Sequence, residues 1–353
     1  MQNDFNLTQY LSKGIEDIIK NAVRTTLKNP KQSAFLLKYA MSAKKAEKLR
    51  IAAEKNGEHI PPFLIASITD KCNLRCAGCY AQANAPCRQT ELDAAKWERI
   101  FAEAKELGIA MILLAGGEPF MRSDVIAAAA KHPEVLFPIF TNGTAMQPRD
   151  YSMLNTYRNL LPVISLEGDE AMTDSRRGAG VYSNLMAAMQ RLDKMGGLFG
   201  ASITVTSENM EYVTDEAFTD ELYRKGCKIV FYVEYVPVES KELAFTDTQR
   251  DLLERRLVTL RQKDMLFISF PGDEKESGGC LAAGRGFFHI AADGNAEPCP
   301  FSPYSDTNLR NIPLREALKS PLFKKLTSGD ILLKEHKGGC VLFEQKDIVS
   351  NLL

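Results

Sequence analysis

Apolar residues in the first sixty positions fall three or four apart: Leu11, Ile15, Ile18 and Ala22, then Phe35, Tyr39, Ala43, Ala46 and Leu49. That period predicts two helices, parted at Asn29-Pro30 and closed at Asn56-Gly57. From residue 63 the pattern changes. Short apolar runs at 64–69, 109–115, 135–141, 163–167, 201–206 and 229–236 read as strands, and the segments 91–107, 181–195 and 214–225 between them read as helices. Strands alternating with helices of that length predict an α/β fold, a parallel sheet with helices packed outside it. Six such units make a partial (β/α)6 TIM-like barrel, whose functional residues belong at the C-terminal ends of the strands. A polar helix at 247–261 and an apolar run at 267–270 follow. Beyond Cys280 come short strands at 286–290 and 297–300 around the turn Ala292-Asp293-Gly294-Asn295, then a helix at 314–326. The expected division is a helical N-terminal extension (1–60), a barrel (61–240) and a small C-terminal appendage (241–353).

Composition narrows the function classes. The chain has 353 residues, 45% of them hydrophobic and 25% charged, with a formal net charge of -1. A near-neutral balance gives no basic surface for a nucleic acid, and no run reaches the roughly 18–20 apolar residues that span a bilayer. The polar opening, residues 1–8, lacks the apolar core of a secretory signal, so a cytoplasmic protein is expected. Lys38, Lys44, Lys45, Lys48 and Arg50 make the second helix basic. A solvated face is the first reading, with contact to an acidic partner or a membrane surface as the less favoured one.

The eight cysteines are too scattered for a disulfide scaffold, but two groups stand out: Cys72, Cys76 and Cys79, then Cys280, Cys299 and Cys340. The first group, C-x3-C-x2-C, sits on a loop leaving the first strand. Soft thiolates in threes select an iron–sulfur cluster, zinc or copper. Structural zinc and electron-transfer clusters take four protein ligands, and only Cys87 lies nearby as a candidate fourth. A cubane left with one open iron could instead bind S-adenosylmethionine and pass an electron to its sulfonium, hard chemistry supplied by the cofactors. Cys72, Cys76 and Cys79, with Asn73, Leu74, Arg75 and Tyr80, resemble the signature of the radical S-adenosylmethionine superfamily. The resemblance implies a [4Fe–4S] cluster on the three thiols, Tyr80 near the adenine, and a 5'-deoxyadenosyl radical that abstracts hydrogen. It also implies a reduced flavodoxin or ferredoxin as electron donor.

Other strand ends extend that likeness. Gly116-Gly117-Glu118-Pro119 follows the second strand; two glycines let backbone approach a ligand, and proline fixes the turn. In the family this motif's backbone binds the methionyl amino group. Thr141-Asn142-Gly143 ends the third strand, where Asn-Gly is also an ordinary turn. Ser165 and Glu167 share one face of the fourth strand, and a buried Glu167 needs a partner, such as a ribose hydroxyl or a substrate amine. The family often carries Asp at that position. Of Arg176 and Arg177, Arg177 is favoured to meet the methionyl carboxylate, with a surface salt bridge as the alternative. Thr204 and Thr206 near the end of the fifth strand suit cofactor contact or packing equally.

Cys280-x13-Gly294-x4-Cys299 is similar to the opening half of the iron–sulfur appendage called SPASM. That appendage carries seven cysteines for two clusters, whereas only Cys340 follows Cys299 here. The likeness therefore implies the shorter twitch-like form with one auxiliary [4Fe–4S] cluster. His336, Glu344, Cys227 or the substrate could supply its fourth ligand; Cys280, Cys299, Cys340 and His336 could instead make a zinc site. Cys227 reads first as a small buried hydrophobe, and Cys227 or Cys87 as a hydrogen-atom donor to a substrate radical. Glu234 and Tyr235, near the end of the sixth strand, are candidate substrate contacts. Peptide or protein modification is the first expectation for the reaction. The alternatives are a step in small-molecule, cofactor or lipid biosynthesis, and a non-catalytic iron–sulfur or zinc protein.

Overall fold

The computed structural model describes residues 29–83, 90–270, 278–333 and 340–353. Seven strands run parallel: β1 (Phe63–Ser67), β2 (Met111–Ala115), β3 (Phe137–Thr141), β4 (Leu160–Leu166), β5 (Gly200–Val205), β6 (Ile229–Glu234) and β7 (Leu266–Phe270). A short hairpin, β8 (His289–Ile290) and β9 (Ala296–Glu297), completes one sheet in the order β7-β6-β5-β4-β3-β2-β1-β8-β9. β8 lies parallel to β1, with Ile65 opposite His289. The sheet curls into a half-barrel, consistent with the partial barrel that the alternation implied, and the run at 267–270 is its seventh parallel strand.

Side chains alternate between the two faces of each strand. Leu64, Ala66, Ile112, Leu114, Ile164, Ala201, Ile203, Val230 and Tyr232 are wholly buried on the outer face, beneath helices such as Ala94–Leu107, Val181–Lys194 and Asp247–Leu260. Two helices start later than their apolar period suggested because an aspartate caps them: Asp93 accepts from Lys96 N before Ala94–Leu107, and Asp215 from Ala217 N before Glu216–Arg224. The expected helix at 314–326 is two, Leu314–Ala317 and Pro321–Ser328. Ser320 caps the second, accepting from Phe323 N, and Pro321 opens its first turn, a start signal that the longer apolar period concealed.

The inner face is closed at one end by the helix Pro30–Lys55. Its Leu36, Tyr39 and Ala43 join Ala110, Leu136, Leu161, Leu198 and Ile229 in a second apolar core, and these partners all lie at or just before strand starts. The helix thus plugs the N-terminal end of the barrel and leaves the C-terminal mouth as the way in. Tyr39 Oη donates to Ala110 O at 2.8 Å, and Arg50 Nη1 to Gly108 O at 2.6 Å. Arg50, read from the sequence as part of a solvated basic face, is 2% exposed, whereas Leu49, read as apolar-face, is 40% exposed. The buried stripe runs through Gln32, Leu36, Tyr39, Ala43 and Arg50 instead; a long guanidinium reaching a carbonyl wins that place. The earlier predicted helix, with Leu11, Ile15, Ile18 and Ala22, lies outside the described residues. Among those residues, no helix is long and apolar enough to cross a membrane.

Gly108 makes this docking possible. It ends the helix Ala94–Leu107 at φ 88°, and a Cβ there would stand 2.5 Å from Ala46 O. Gly108→Ala therefore combines a left-handed backbone with a backbone clash. It is expected to lower unfolding stability in urea by about 2–4 kcal/mol. Gly57→Ala, at φ 75° with open space around it, should cost about 1 kcal/mol. Equal losses would contradict the plug contact.

Candidate active site

The loop that leaves β1 lies directly on the turn that leaves β2. Gly117 N donates to Thr69 O at 2.7 Å and Glu118 N to Lys71 O at 2.8 Å. A Cβ at residue 117 would stand 2.1 Å from Lys71 O, and one at 116 would stand 2.3 Å from Thr69 O. Two glycines are what this contact needs. Glu118 is 1% exposed and accepts from Thr141 Oγ1 (2.7 Å), Asn142 N (2.8 Å) and Phe120 N (3.0 Å). Burial outweighs those bonds and pushes its carboxyl above the usual range. Glu118 and Thr141 thus fasten the β2 turn to the end of β3. Asn142 reaches the cysteine loop itself: its Nδ2 donates to Asn73 Oδ1 at 2.9 Å and approaches Cys72 Sγ at 3.9 Å.

Cys72, Cys76 and Cys79 are half-buried and free. Burial pushes the Cys72 and Cys76 thiols up, while Arg177 and Arg176 pull Cys76 back down. A metal must displace the protons of such thiols when it binds, and the two guanidinium groups offset the charge that is left. The thiols share the barrel mouth with a carboxylate. On β4, Leu161 and Val163 belong to the inner core, so Ser165 and Glu167 face the barrel interior too. Glu167 is 2% exposed. Its Oε1 takes bonds from Arg176 Nη1 (2.5 Å), Arg177 Nε (2.8 Å) and Arg177 Nη2 (2.6 Å), and Arg176 Nη1 also reaches Thr204 Oγ1 at 3.1 Å. Its Oε2 has no partner among the described residues. A buried carboxylate oxygen left open beside two guanidinium groups and three thiols fits a ligand with an amine or hydroxyl donor and its own carboxylate, and S-adenosylmethionine on a cluster is such a ligand. Both arginines are at the site, where the sequence favoured Arg177.

Asn209, which carried no signal in the sequence, braces this corner by donating from Nδ2 to Glu167 O and Thr204 O, each at 3.0 Å. Thr206 Oγ1 bonds Asn209 rather than facing a ligand. Two expected contacts at β6 are placed differently from each other. Glu234 lies on the same face as Val230 and Tyr232, the outer one, and binds Arg250 Nη2 at 2.8 Å. Tyr235 is 2% exposed, with its ring against Gly78 of the cysteine loop. Cys227 precedes β6, at the opposite end of that strand from the mouth. It is fully buried, its thiol donates to Ile229 O at 3.2 Å, and burial pushes it up to about 12. Cys87 and His336 lie outside the described residues.

Cys280, Cys299 and Cys340 come together from three separate segments. Each is 7% exposed, and Cys299 is raised well above its ordinary value by its hydrogen bond with Cys340, by burial and by the nearby Cys280. Among the described residues, no three Cys, His, Asp or Glu converge on a single-ion site. The two cysteine groups are neighbours: the Tyr80 ring packs on Phe301 with centroids 5.1 Å apart. Burial, with Cys79 and Cys299 close by, raises the Tyr80 phenol. A buried chain also ties them, with Ser67 Oγ hydrogen-bonded to His289 Nε2 at 2.7 Å and His289 Nδ1 to Glu297 Oε2 at 2.7 Å.

Known proteins resemble this chain in sequence and fold. The model of the radical SAM superfamily matches residues 66–217. An AdoMet-dependent heme synthase of Methanosarcina barkeri is 27% identical over 321 residues, 81% of this chain and 90% of that protein. A PqqA peptide cyclase of Methylobacterium nodulans is 44% identical over 66 residues, 19% of this chain and 17% of its own length. Among solved structures, Streptococcus suis SuiB bound to the precursor peptide SuiA superposes with a TM-score of 0.68 at 20% identity, covering 84% of this chain and 76% of SuiB. The enzyme anSMEcpe with bound AdoMet and a peptide gives 0.61 at 17% identity, covering 78% and 84%. The three-thiol loop at the end of β1, the half-barrel that carries it and the matched model agree: residues 66–217 carry a radical S-adenosylmethionine domain, and the chain is an enzyme of that kind.

Proposed function

We propose that Cys72, Cys76 and Cys79 hold the [4Fe–4S] cluster, that S-adenosylmethionine binds across the barrel mouth, and that a substrate enters from the same end. The observation that carries this reading is the open Oε2 of Glu167, buried between the arginine pair and the cysteine loop. When bound, the cluster and S-adenosylmethionine supply a 5'-deoxyadenosyl radical able to take hydrogen from an unreactive C–H bond. The chain's own residues do the rest. Glu167 Oε2 accepts from an amine or ribose hydroxyl, and Arg177 faces the methionyl carboxylate, Arg176 being held to Thr204. Ser165 lines the interior beside them, and the Gly116-Gly117 turn supplies backbone. The plug helix keeps water from the far end of the barrel. Cys280, Cys299 and Cys340 hold an auxiliary cluster, whose fourth ligand comes from His336, Glu344 or the substrate. A flavodoxin or ferredoxin delivers the electron.

For the substrate, a small molecule of the cofactor class comes first. The supporting observation is the alignment over 90% of a heme synthase, against one over 17% of a peptide cyclase. A peptide or protein substrate, which the sequence alone put first, is the second reading; the fold shared with peptide-bound SuiB favours it. Extract from deuterated cells separates the two. Deuterium entering 5'-deoxyadenosine from a protease-treated, ultrafiltered extract supports the small molecule, whereas transfer from untreated extract alone supports the peptide.

Replacing Cys72, Cys76 or Cys79 singly by Ala should abolish 5'-deoxyadenosine formation in the anaerobically reconstituted protein while circular dichroism stays unchanged. Cleavage that persists would refute the assignment. Cys280→Ala or Cys299→Ala should remove roughly four irons per chain, one cubane, and leave uncoupled S-adenosylmethionine cleavage in place. Unchanged iron content would remove the auxiliary cluster from the reading.

A further inference from the structure

The cysteine loop is gripped at two adjacent residues, and neither grip involves a thiol. Ala77 N donates to Arg176 O at 2.9 Å, and Gly78 N donates to a carboxylate oxygen of Glu239 at 2.7 Å. Gly78 lies between Cys76 and Cys79 with φ at 64°. A Cβ there would stand 2.7 Å from Tyr235 Cε2 and 3.0 Å from Tyr235 Oη, so the tyrosine ring fills the place a side chain would take. That ring is fixed in turn. Tyr235 N donates to Val205 O at 2.9 Å, anchoring it to β5, and Ser240 N donates to Tyr235 Oη at 3.3 Å, folding the turn 235–240 back over the ring. The same turn presents Glu239 to the loop.

Resting on the cluster assignment above, we propose that Tyr235 and Glu239 are positioning residues that clamp the cysteine loop and lower the reduction potential of its cluster. Net charge, hydrogen bonds to the sulfurs and solvent exposure set the potential of an iron–sulfur centre, and outer-shell partners tune what the ligands hold. The clamp works on the first two in one direction. It spends the amides of residues 77 and 78 on Arg176 O and Glu239, withholding them from sulfur. It also fixes a negative charge one residue from Cys79, which disfavours the reduced, more negative cluster. A lower potential makes the reduced cluster a stronger donor to a sulfonium.

The test needs no substrate. The full-length chain is reconstituted anaerobically and titrated potentiometrically, following by electron paramagnetic resonance the signal that changes on adding S-adenosylmethionine. Glu239→Gln keeps an acceptor for Gly78 N and removes the charge. At a fixed potential it should raise the ratio of reduced to oxidised cluster at least threefold, about 28 mV at 59 mV per tenfold for one electron. Glu239→Ala, which also frees the amide, should shift further, and Tyr235→Leu should broaden the signal by loosening the loop. Glu242→Gln, an exposed carboxylate of the same region, is the control and should leave the potential in place. A Glu239→Gln shift no larger than the control's would overturn the proposal. So would loss of iron from Glu239→Gln alone, which would make the residue structural rather than tuning. If the unaltered chain gives no signal that responds to S-adenosylmethionine, the cluster assignment fails, and the clamp with it.

Discussion

The mouth of this barrel depends on one close approach. Thr69 O and Lys71 O occupy the positions that β-carbons at residues 116 and 117 would need. Because those carbons are missing, two strand-end loops lie backbone to backbone and exchange hydrogen bonds. The cysteine loop therefore begins from a fixed stem. Glu118 carries the constraint onward to β3 through Thr141 and Asn142, and Asn142 returns it to Cys72. Three strand ends are thereby locked into one frame. A cluster bound there meets ligands whose backbone is already positioned, so less conformational entropy is lost on binding.

What the sequence disclosed was what repeats or stays local. Strand runs, helix periods, the cysteine spacing and the Gly-Gly turn are written within a few residues of themselves. Contacts between distant segments were hidden. Nothing near Arg50 announces that its guanidinium will bind the carbonyl of residue 108. Nothing near Tyr235 says that its ring will stand in for a side chain at residue 78. Glu234 and Tyr235 are sequence neighbours and looked equivalent, yet alternation sends one outward to Arg250 and the other to the cysteine loop. β6 runs Ile229–Glu234, and a period of two from the apolar Val230 and Tyr232 puts Glu234 on the outer side.

The two ends of the barrel are built from opposite chemistry. At the strand starts, Leu36 and Tyr39 meet Leu161 and Ile229, an apolar seal with few polar groups to satisfy. At the strand ends, Arg176, Arg177, Glu167, Thr204 and Asn209 form one connected polar network. Such a network, when complete, holds a single geometry. The oxygen it leaves over, Glu167 Oε2, marks where the protein expects something else to finish the pattern.

Ser67, His289 and Glu297 make one more link, with wider reach than its two bonds suggest. Ser67 ends the strand that feeds the first three thiols, and Glu297 ends the strand that leads into Cys299. Pulling the hairpin away from β1 would strand three polar groups in a dry interior at once. The spacing between the two cysteine groups is thereby built into the sheet rather than left to the loops that carry them.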